Sequence, residues 1–171
     1  REKMATLKDT LFYTELKKRR SDNAVIYRGK LLEISEDIGG ILEYIRVTFP
    51  DYPDHGIGHS YRILDYVAKI IGAQIKYLSD TEIFCFVLSA LFHDTGMSLV
   101  GFSSKNTLRT KHPENASKVI DAYYNKGYLN VKNAHRIIQV VMYICKAHGM
   151  DIDEMYKDKT FRSVDTINGD T

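Results

Sequence analysis

The sequence predicts an all-α protein, a single compact bundle of about six helices. Apolar residues recur with a period near 3.6 in several segments, whereas no segment alternates strictly between apolar and polar residues as a half-buried strand does. No internal repeat or low-complexity stretch is present. With 171 residues, 44% of them hydrophobic, the chain is long enough to bury one substantial core.

Two helices are predicted before residue 50. The first has apolar residues at helical spacing: Met4, Leu7, Leu11 and Leu16. It ends in the basic run 17–20, which suits a solvated helix carboxyl terminus. A polar break at 21–23 follows, and prolines stop the second helix after residue 49. The apolar stripe of this second helix is Leu31, Ile34, Ile38, Ile41, Leu42, Ile45 and Phe49.

The next two helices frame the centre of the chain. After a loop at 51–58, a third helix is predicted from one stripe of side chains: His59, Ile63, Val67 and Ile70. Ser79 and Glu82 form a capping box that starts a fourth helix. From Ile83 to Phe92 this helix is apolar nearly all round, so we expect neighbours to bury it on several sides. It ends in the sequence His-Asp-Thr-Gly at 93–96.

A long loop is predicted at 97–110, and it is of the kind that often forms a lid or binding loop. The fifth helix starts at Pro113, ends at Gly127, and has an inner face formed by Ala116, Val119, Ile120 and Tyr123. The sixth runs from after Asn130 to the His-Gly pair at 148–149. These elements divide the chain into an N-terminal helix and loop at 1–30, a helical domain at 31–150 and a polar segment at 151–171, which we expect to be truncated or partly disordered.

Composition excludes several classes of function. With 24 Lys+Arg against 22 Asp+Glu, the formal net charge is +2, so no global basic field indicates nucleic acid or an anionic membrane as a partner. The longest apolar run is about half of the roughly 20 residues that span a bilayer. Cys85 and Cys145 lie in apolar stretches, which favours reduced thiols. Without a signal-peptide pattern, the sequence predicts a cytoplasmic protein, and its first residue, Arg1, suggests a fragment.

Five of the six histidines fall at predicted helix ends or beside loops: His55, His59, His93, His112 and His148. Any one of them alone is explained as a hydrogen-bonded core residue. Taken together, three helices direct an imidazole inward. Asp94, beside His93 at the end of the buried helix, would be unfavourable as a buried carboxylate without a cation, although a solvent-facing position is the simple alternative. A divalent metal fits imidazoles and a carboxylate, and a carboxylate can bridge two metals.

The combination of His59, the pair His93-Asp94, His112 in His-Pro-Glu-Asn-Ala-Ser and His148 in Ala-His-Gly resembles the HD superfamily of metal-dependent phosphohydrolases. The resemblance covers residues 51–149. It implies an all-helical fold, one or two divalent metal ions (Mn, Fe, Co, Ni, Zn or Mg), and hydrolysis of phosphate esters, commonly in nucleotides. It also implies that His59, His93 and Asp94 bind a first metal. His112 and His148 look like the second-metal histidines of the binuclear branch, which includes HD-GYP-type phosphodiesterases.

Two departures from that family pattern indicate reduced activity. The family takes another Asp from a later helix, and the available carboxylates lack that helical context, so none is assigned: Asp151, Asp153, Asp165 and Asp170. Met97 stands where many members of the superfamily have a Lys soon after the His-Asp pair.

The remaining candidate residues would bind the phosphate of the substrate or orient the attacking water. Asp94 would hold the metal and orient the water, and His55 would contact the phosphate or donate a proton to the leaving oxygen, unless it is an exposed loop residue. Arg62 would pair with phosphate, with a surface ion pair as the alternative. A short basic cluster would attract an anionic substrate, or is only solvated surface: Lys105, Arg109 and Lys111. Several tyrosines have spacings typical of core or half-buried packing: Tyr61, Tyr66, Tyr123, Tyr124 and Tyr143.

The sequence therefore predicts a metal-dependent phosphohydrolase that acts on a small phosphorylated substrate, a nucleotide or related phosphate ester. The first alternative is a degenerate HD module that binds nucleotide or a protein partner without turnover. The second is a structural bundle with coincidental histidines. A homo-oligomer, or a C-terminal ATPase-type domain in a longer chain, fits the resemblance, and neither a membrane nor nucleic acid is an expected partner.

Overall fold

The computed structural model describes residues 6–50, 56–99 and 105–157, except for the side chains of residues 48, 105, 106, 108 and 109. These residues form seven α-helices and three short 3₁₀ turns, with no strand among them, which confirms the all-α prediction. The helices are α1 (Leu11–Lys18), α2 (Asp22–Thr48), α3 (Ile57–Ile71), α4 (Asp80–Phe92), α5 (Lys105–Asn125), α6 (Ala134–Ala147) and α7 (Ile152–Lys157). The 3₁₀ turns are Leu7–Asp9, Gly72–Tyr77 and Thr95–Ser98.

Helix α4 lies at the centre of the bundle, in contact with α1, α2, α3, α5 and α6. The capping box is present: the Glu82 amide donates to the Ser79 hydroxyl at 3.2 Å, and the Ser79 amide donates to the Glu82 carboxylate at 2.6 Å. Phe84 is completely buried and stacks on Tyr27 of α2 with ring centroids 4.1 Å apart. Burying a side chain of this size contributes roughly 1.5–3 kcal/mol. The prediction of a helix buried on several sides is confirmed.

Helix α2 begins earlier than its apolar stripe predicts. The polar break at 21–23 is in fact its cap, because the Ser21 hydroxyl accepts from the Ala24 amide at 3.1 Å. The helix then continues through Ala24, Tyr27 and Leu31, all buried, and Gly39-Gly40 does not interrupt it. Tertiary packing of the buried stripe outweighs the low helix propensity of two glycines.

The predicted stripe of α3 is partly wrong. Ile70 is 84% exposed, and Tyr66 is 61% exposed instead of half-buried. The residues that α3 buries are rotated from the predicted stripe by about one position: Ser60, Tyr61, Leu64 and Ala68. His59 therefore lies at the border of the buried face, with its side chain 33% exposed.

The predicted loop at 97–110 is shorter than expected. Thr95–Ser98 is a 3₁₀ turn, and α5 already begins at Lys105, so Pro113 lies inside the helix and not in its first turn. Pro113 is buried beside Gly149, and this packing keeps it in the helix although it lacks an amide donor. At the other end, Gly127 has φ +77°, and its amide donates to the Tyr124 carbonyl at 2.8 Å, which supports the predicted helix end.

The basic run after α1 is not uniformly solvated. The Arg19 side chain is only 18% exposed, and it donates to the Leu78 carbonyl at 2.6 Å and to Asp80 at 2.9 Å. Arg19 thereby fastens the end of α1 to the start of α4. In the part of the chain that the structure covers, no helix combines the length and the apolar character needed to cross a bilayer.

Candidate metal centre

The carboxyl end of α4 places His93 and Asp94 next to each other inside the bundle, 7% and 3% exposed. His93 Nδ1 lies 2.9 Å from the Ala90 carbonyl oxygen. Because a carbonyl oxygen only accepts, Nδ1 donates and the neutral ring has its lone pair on Nε2. That Nε2 faces Asp94 Oδ2 at 3.0 Å, and His59 Nε2 from α3 lies 3.8 Å from the same oxygen. We call His59, His93 and Asp94 the inner group.

The other oxygen of Asp94 faces a second set of imidazoles. His112 Nε2 of α5 lies 3.4 Å from Asp94 Oδ1 and 3.2 Å from Nε2 of His148, the residue that ends α6. His148 Nδ1 lies 2.9 Å from the Cys145 carbonyl oxygen, which fixes this ring in the same way as His93. We call Asp94, His112 and His148 the outer group. His148 is exposed, so the outer group opens towards solvent.

At one side of Asp94 an acceptor therefore faces an acceptor, because the Nε2 lone pair of His93 lies 3.0 Å from Asp94 Oδ2. Within each group the ligand atoms lie within 4.8 Å of one another, and together they comprise four imidazole nitrogens and two carboxylate oxygens. With Nδ1 of His93 committed to the Ala90 carbonyl, its Nε2 lone pair repels the carboxylate oxygen of Asp94 unless a cation lies between them. The Nε2 lone pair of His148 faces His112 Nε2, which binds it through a proton on His112 or through a shared cation. Neutral imidazole and carboxylate are suitable ligands for divalent first-row ions. The five residues can hold a metal ion.

Electrostatics distinguishes the potential ligands from the nearby thiol. Desolvation lowers the pKa of His148, and the adjacent His93 and His112 lower it further, against the opposing effects of the Cys145 carbonyl and Asp94. A neutral His148 is the form that binds a metal. Burial, with a smaller contribution from Asp94, raises the pKa of the Cys145 thiol to about 12. Cys145 is therefore a neutral packing residue and not a thiolate ligand.

Two glycines that the sequence interpretation treated only as helix ends hold the outer group in place. A Cβ atom on Gly96 would overlap the carbonyl oxygen of His112 and lie 2.6 Å from the amide nitrogen of Ala116. A Cβ on Gly149 would lie 2.6 Å from the ring of Pro113. Both glycines allow α5 to approach the ligand-bearing segments closely. The sequence signal is a glycine shortly after each ligand, in Asp-Thr-Gly and in His-Gly.

The carbonyls of Ala90 and Cys145 were also missed by the sequence interpretation. Each lies three residues before a histidine at the end of a helix, where the last carbonyls have no intrahelical partner. The spacing i to i+3 was a usable signal, since a histidine at that position can turn its Nδ1 back to the free carbonyl.

The other predicted site residues are not part of the cluster or cannot be placed. Arg62 is exposed on α3, one turn after His59, and its guanidinium lies beside Gly58. Lys111 is exposed on α5. Three predicted residues have side chains outside the described part of the chain: His55, Lys105 and Arg109. Their roles stay predictions.

The predicted departures from the family pattern can be examined at two places. Met97 is 2% exposed, so this position supplies a buried apolar side chain where the resemblance expects a cation. Among the unassigned carboxylates, Asp151 and Asp153 are exposed, while Asp165 and Asp170 lie outside the described residues. The sixth histidine, His135 on α6, is exposed and belongs to neither group.

Comparison with known proteins gives one match. The model of a protein family described as HD-CE matches residues 49–171, which includes every ligand of the inner and outer groups. No curated protein and no solved structure matches the chain.

Proposed function

The chain belongs to the HD-CE family, and from this membership together with the geometry of its histidines we propose that it is a metal-dependent phosphohydrolase. Its substrate would be a nucleotide or a related phosphate monoester or diester. The observation that carries the proposal is the position of Asp94: its Oδ2 faces Nε2 of His93 and His59 at 3.0 and 3.8 Å, and its Oδ1 faces Nε2 of His112 at 3.4 Å. This arrangement suits two divalent cations that share one carboxylate.

Different residues of the chain would bind the metal ions, bind the phosphate and transfer a proton. Divalent cations bound there would polarise a phosphoryl oxygen and lower the pKa of a coordinated water towards about 7. Asp94, buried and held between four imidazoles, would position both ions. Arg62, exposed one turn beyond His59, would bind a phosphate oxygen, and His55 would protonate the leaving oxygen. Lys111, with Lys105 and Arg109 on the same helix, would attract the anionic substrate.

A second candidate is a module that binds a nucleotide or a protein without turnover. Buried Met97 favours it, because no cation is available at a position where HD phosphohydrolases commonly have Lys. The loss of one phosphate contact would weaken transition-state stabilisation more than it weakens binding of the metal.

Metal content and hydrolysis together test these candidates. The metal bound per chain would be measured for the natural protein, Asp94→Asn and His93→Gln, with the exposed His135→Gln as the matched control. A panel of nucleotides and model phosphodiesters would then be tested with Mn²⁺, Mg²⁺, Ni²⁺ or Zn²⁺. We expect metal and hydrolysis in the natural chain and His135→Gln, loss of both in Asp94→Asn, and loss of hydrolysis with a reduced metal content in His93→Gln.

Metal content and hydrolysis distinguish the enzyme from the binding module. Bound metal without hydrolysis of any substrate in the panel would favour the binding module over the enzyme. A natural chain that takes up no divalent metal would overturn both candidates and return the histidines to a structural role.

A further inference from the structure

A second candidate site lies in the N-terminal part of the bundle, apart from the metal centre. A cavity of about 470 Å³ is lined by side chains of the 3₁₀ turn Leu7–Asp9, of α1 and of α2: Lys8, Tyr13, Lys17, Arg28 and Leu32. None of them belongs to the inner or outer group. The volume falls within the roughly 300–1,000 Å³ range of sites for small molecules.

The charges around this cavity all have the same sign. Lys8, Lys17 and Arg28 are cationic, and no carboxylate is among the lining residues. Two neighbouring cations are neutralised, since Lys18 at the end of α1 pairs with Glu15 at 3.5 Å and Arg19, the next residue, pairs with Asp80 at 2.9 Å. Among the described residues, neither Lys8 nor Lys17 has an acidic side chain within ion-pair distance. Within the described part of the chain, the cavity thus brings together three cations that form no ion pair, whereas the exposed Arg20 is not among its lining residues.

Arg28 is fixed in a position that suits an anion. Its Nη1 donates to the Lys17 carbonyl at 3.0 Å and to the Leu16 carbonyl at 3.5 Å, so the guanidinium sits at the carboxyl end of α1. Its Nε and Nη2 have no partner in the described part of the chain. A guanidinium whose orientation is already fixed loses less freedom when it binds a phosphate oxygen.

The remaining lining residues provide a firm, partly apolar wall. Tyr13 is 7% exposed and is held in the first turn of α1, where its amide donates to the Thr10 hydroxyl at 3.3 Å. Leu32 packs against the main core from α2. A wall of this kind would exclude water from one side of a bound anion and so strengthen its attraction to the cations.

We propose that this cavity binds a small molecule with a pyrophosphate moiety, either inorganic pyrophosphate or a nucleoside di- or triphosphate. Three cations around one cavity match an anion of charge two or more better than a single monovalent group, and the combination of Arg and Lys is typical of phosphate recognition. The site requires no metal and does not depend on the function proposed for the histidine cluster.

Binding measured without divalent metal tests the proposal. Pyrophosphate, ATP and, as an uncharged reference, adenosine would be titrated calorimetrically at pH 8 in EDTA, which separates this cavity from the metal centre. The variant K8Q/K17Q removes two lining cations, and K126Q/K132Q removes two exposed cations elsewhere as the matched control. We expect saturable binding of pyrophosphate and ATP but not adenosine, weakened about tenfold in K8Q/K17Q and unchanged in the control.

The outcomes separate this cavity from a general electrostatic effect. No saturable binding of pyrophosphate or ATP to the natural chain, or an equal loss of affinity in both double variants, would overturn the site. So would tight binding of a single-stranded oligonucleotide at this surface without binding of pyrophosphate, since that indicates nucleic acid instead. If K8Q/K17Q does not fold, the single exposed substitution Lys17→Glu replaces it, with the same expected loss. Equal affinity of ATP and pyrophosphate would show that the cavity contacts only the phosphates. Tighter binding of ATP would show that the cavity also contacts the nucleoside.

Discussion

The inner and outer groups share Asp94 but are built in different ways. His93 and Asp94 are adjacent in sequence at the end of a buried helix, so the local backbone of α4 fixes their relative position. His112 and His148 come from α5 and α6, and their distance from Asp94 depends on how these helices pack. The inner group has two buried members, His93 and Asp94, and the partly exposed His59, whereas the outer group includes the exposed His148.

Because of this difference, different forces hold the inner group and the outer group in place. The inner group depends on the apolar core, because the burial of α4 carries His93 and Asp94 into the bundle. The outer group depends on two close contacts with α5: Gly96 lies against its backbone, and Gly149 lies against the ring of Pro113. At either glycine a single added methyl group would obstruct the packing. We therefore expect substitutions to affect the two groups separately.

The largest expected effect is the loss of the tighter metal site. His93→Gln removes the Nε2 atom that we expect to bind the first metal. In the natural protein the hydrogen bond from Nδ1 to the Ala90 carbonyl already orients this ring for binding. We expect the tightest binding step in a Mn²⁺ or Zn²⁺ titration to weaken by about 100-fold or more. His112→Gln, in the outer group, should weaken only the second step. Equal effects of both substitutions on the first step would mean that the groups form one site.

Gly96→Ala should have the next largest effect. The new methyl group would meet backbone atoms of His112 and Ala116, which cannot move aside as a flexible side chain can. We expect the free energy of unfolding to fall by about 3 kcal/mol in urea denaturation, and the second metal-binding step to be lost. The control is Gly40→Ala, in the middle of α2, where a Cβ meets nothing within 4 Å and should stabilise the protein by about 0.5–1 kcal/mol.

A weaker version of the same effect is expected at Gly149. Here the added Cβ would meet the ring of Pro113 and not the backbone, so a small shift of α6 or its terminal turn can relieve part of the clash. Gly149→Ala should lower the free energy of unfolding by about 1–2 kcal/mol, with the first metal-binding step unchanged. A cost at Gly149 larger than at Gly96 would contradict the view that the backbone contact dominates.

The sequence predicted what local periodicity and capping determine. The buried α4 and the Ser79 capping box were found because both signals lie within one segment of the chain. The start of α2 and of α5 was misjudged because Ser21 is a cap that resembles a break, and Pro113 is held in a helix by a contact with a residue 36 positions away. Such long-range contacts outweigh local preference and leave no local signal.

The same reasoning applies to the candidate site. The set of histidines could be chosen from positions at predicted helix ends or beside loops, although His112 in fact lies inside α5, since convergence needs only that each one points inward. What the sequence could not provide is the division into two groups, because it depends on which oxygen of Asp94 faces which imidazole. The error of about one position on α3 shows the limit of periodicity: it located the helix and assigned the wrong face to Ile70.

The smallest expected effect is a pH dependence that belongs to the outer group. The folded chain lowers the pKa of His148 through desolvation and through His93 and His112, whereas the unfolded chain has the ordinary value near 6.5. Between these two pKa values the unfolded chain binds more protons, so the free energy of unfolding should fall as pH decreases below about 6.5 and be fully recovered above it. Urea denaturation of the metal-free protein across this interval measures the slope. His148→Gln should reduce that slope and the exposed His135→Gln should not. An unchanged slope in His148→Gln would contradict the assignment of this pH dependence to His148.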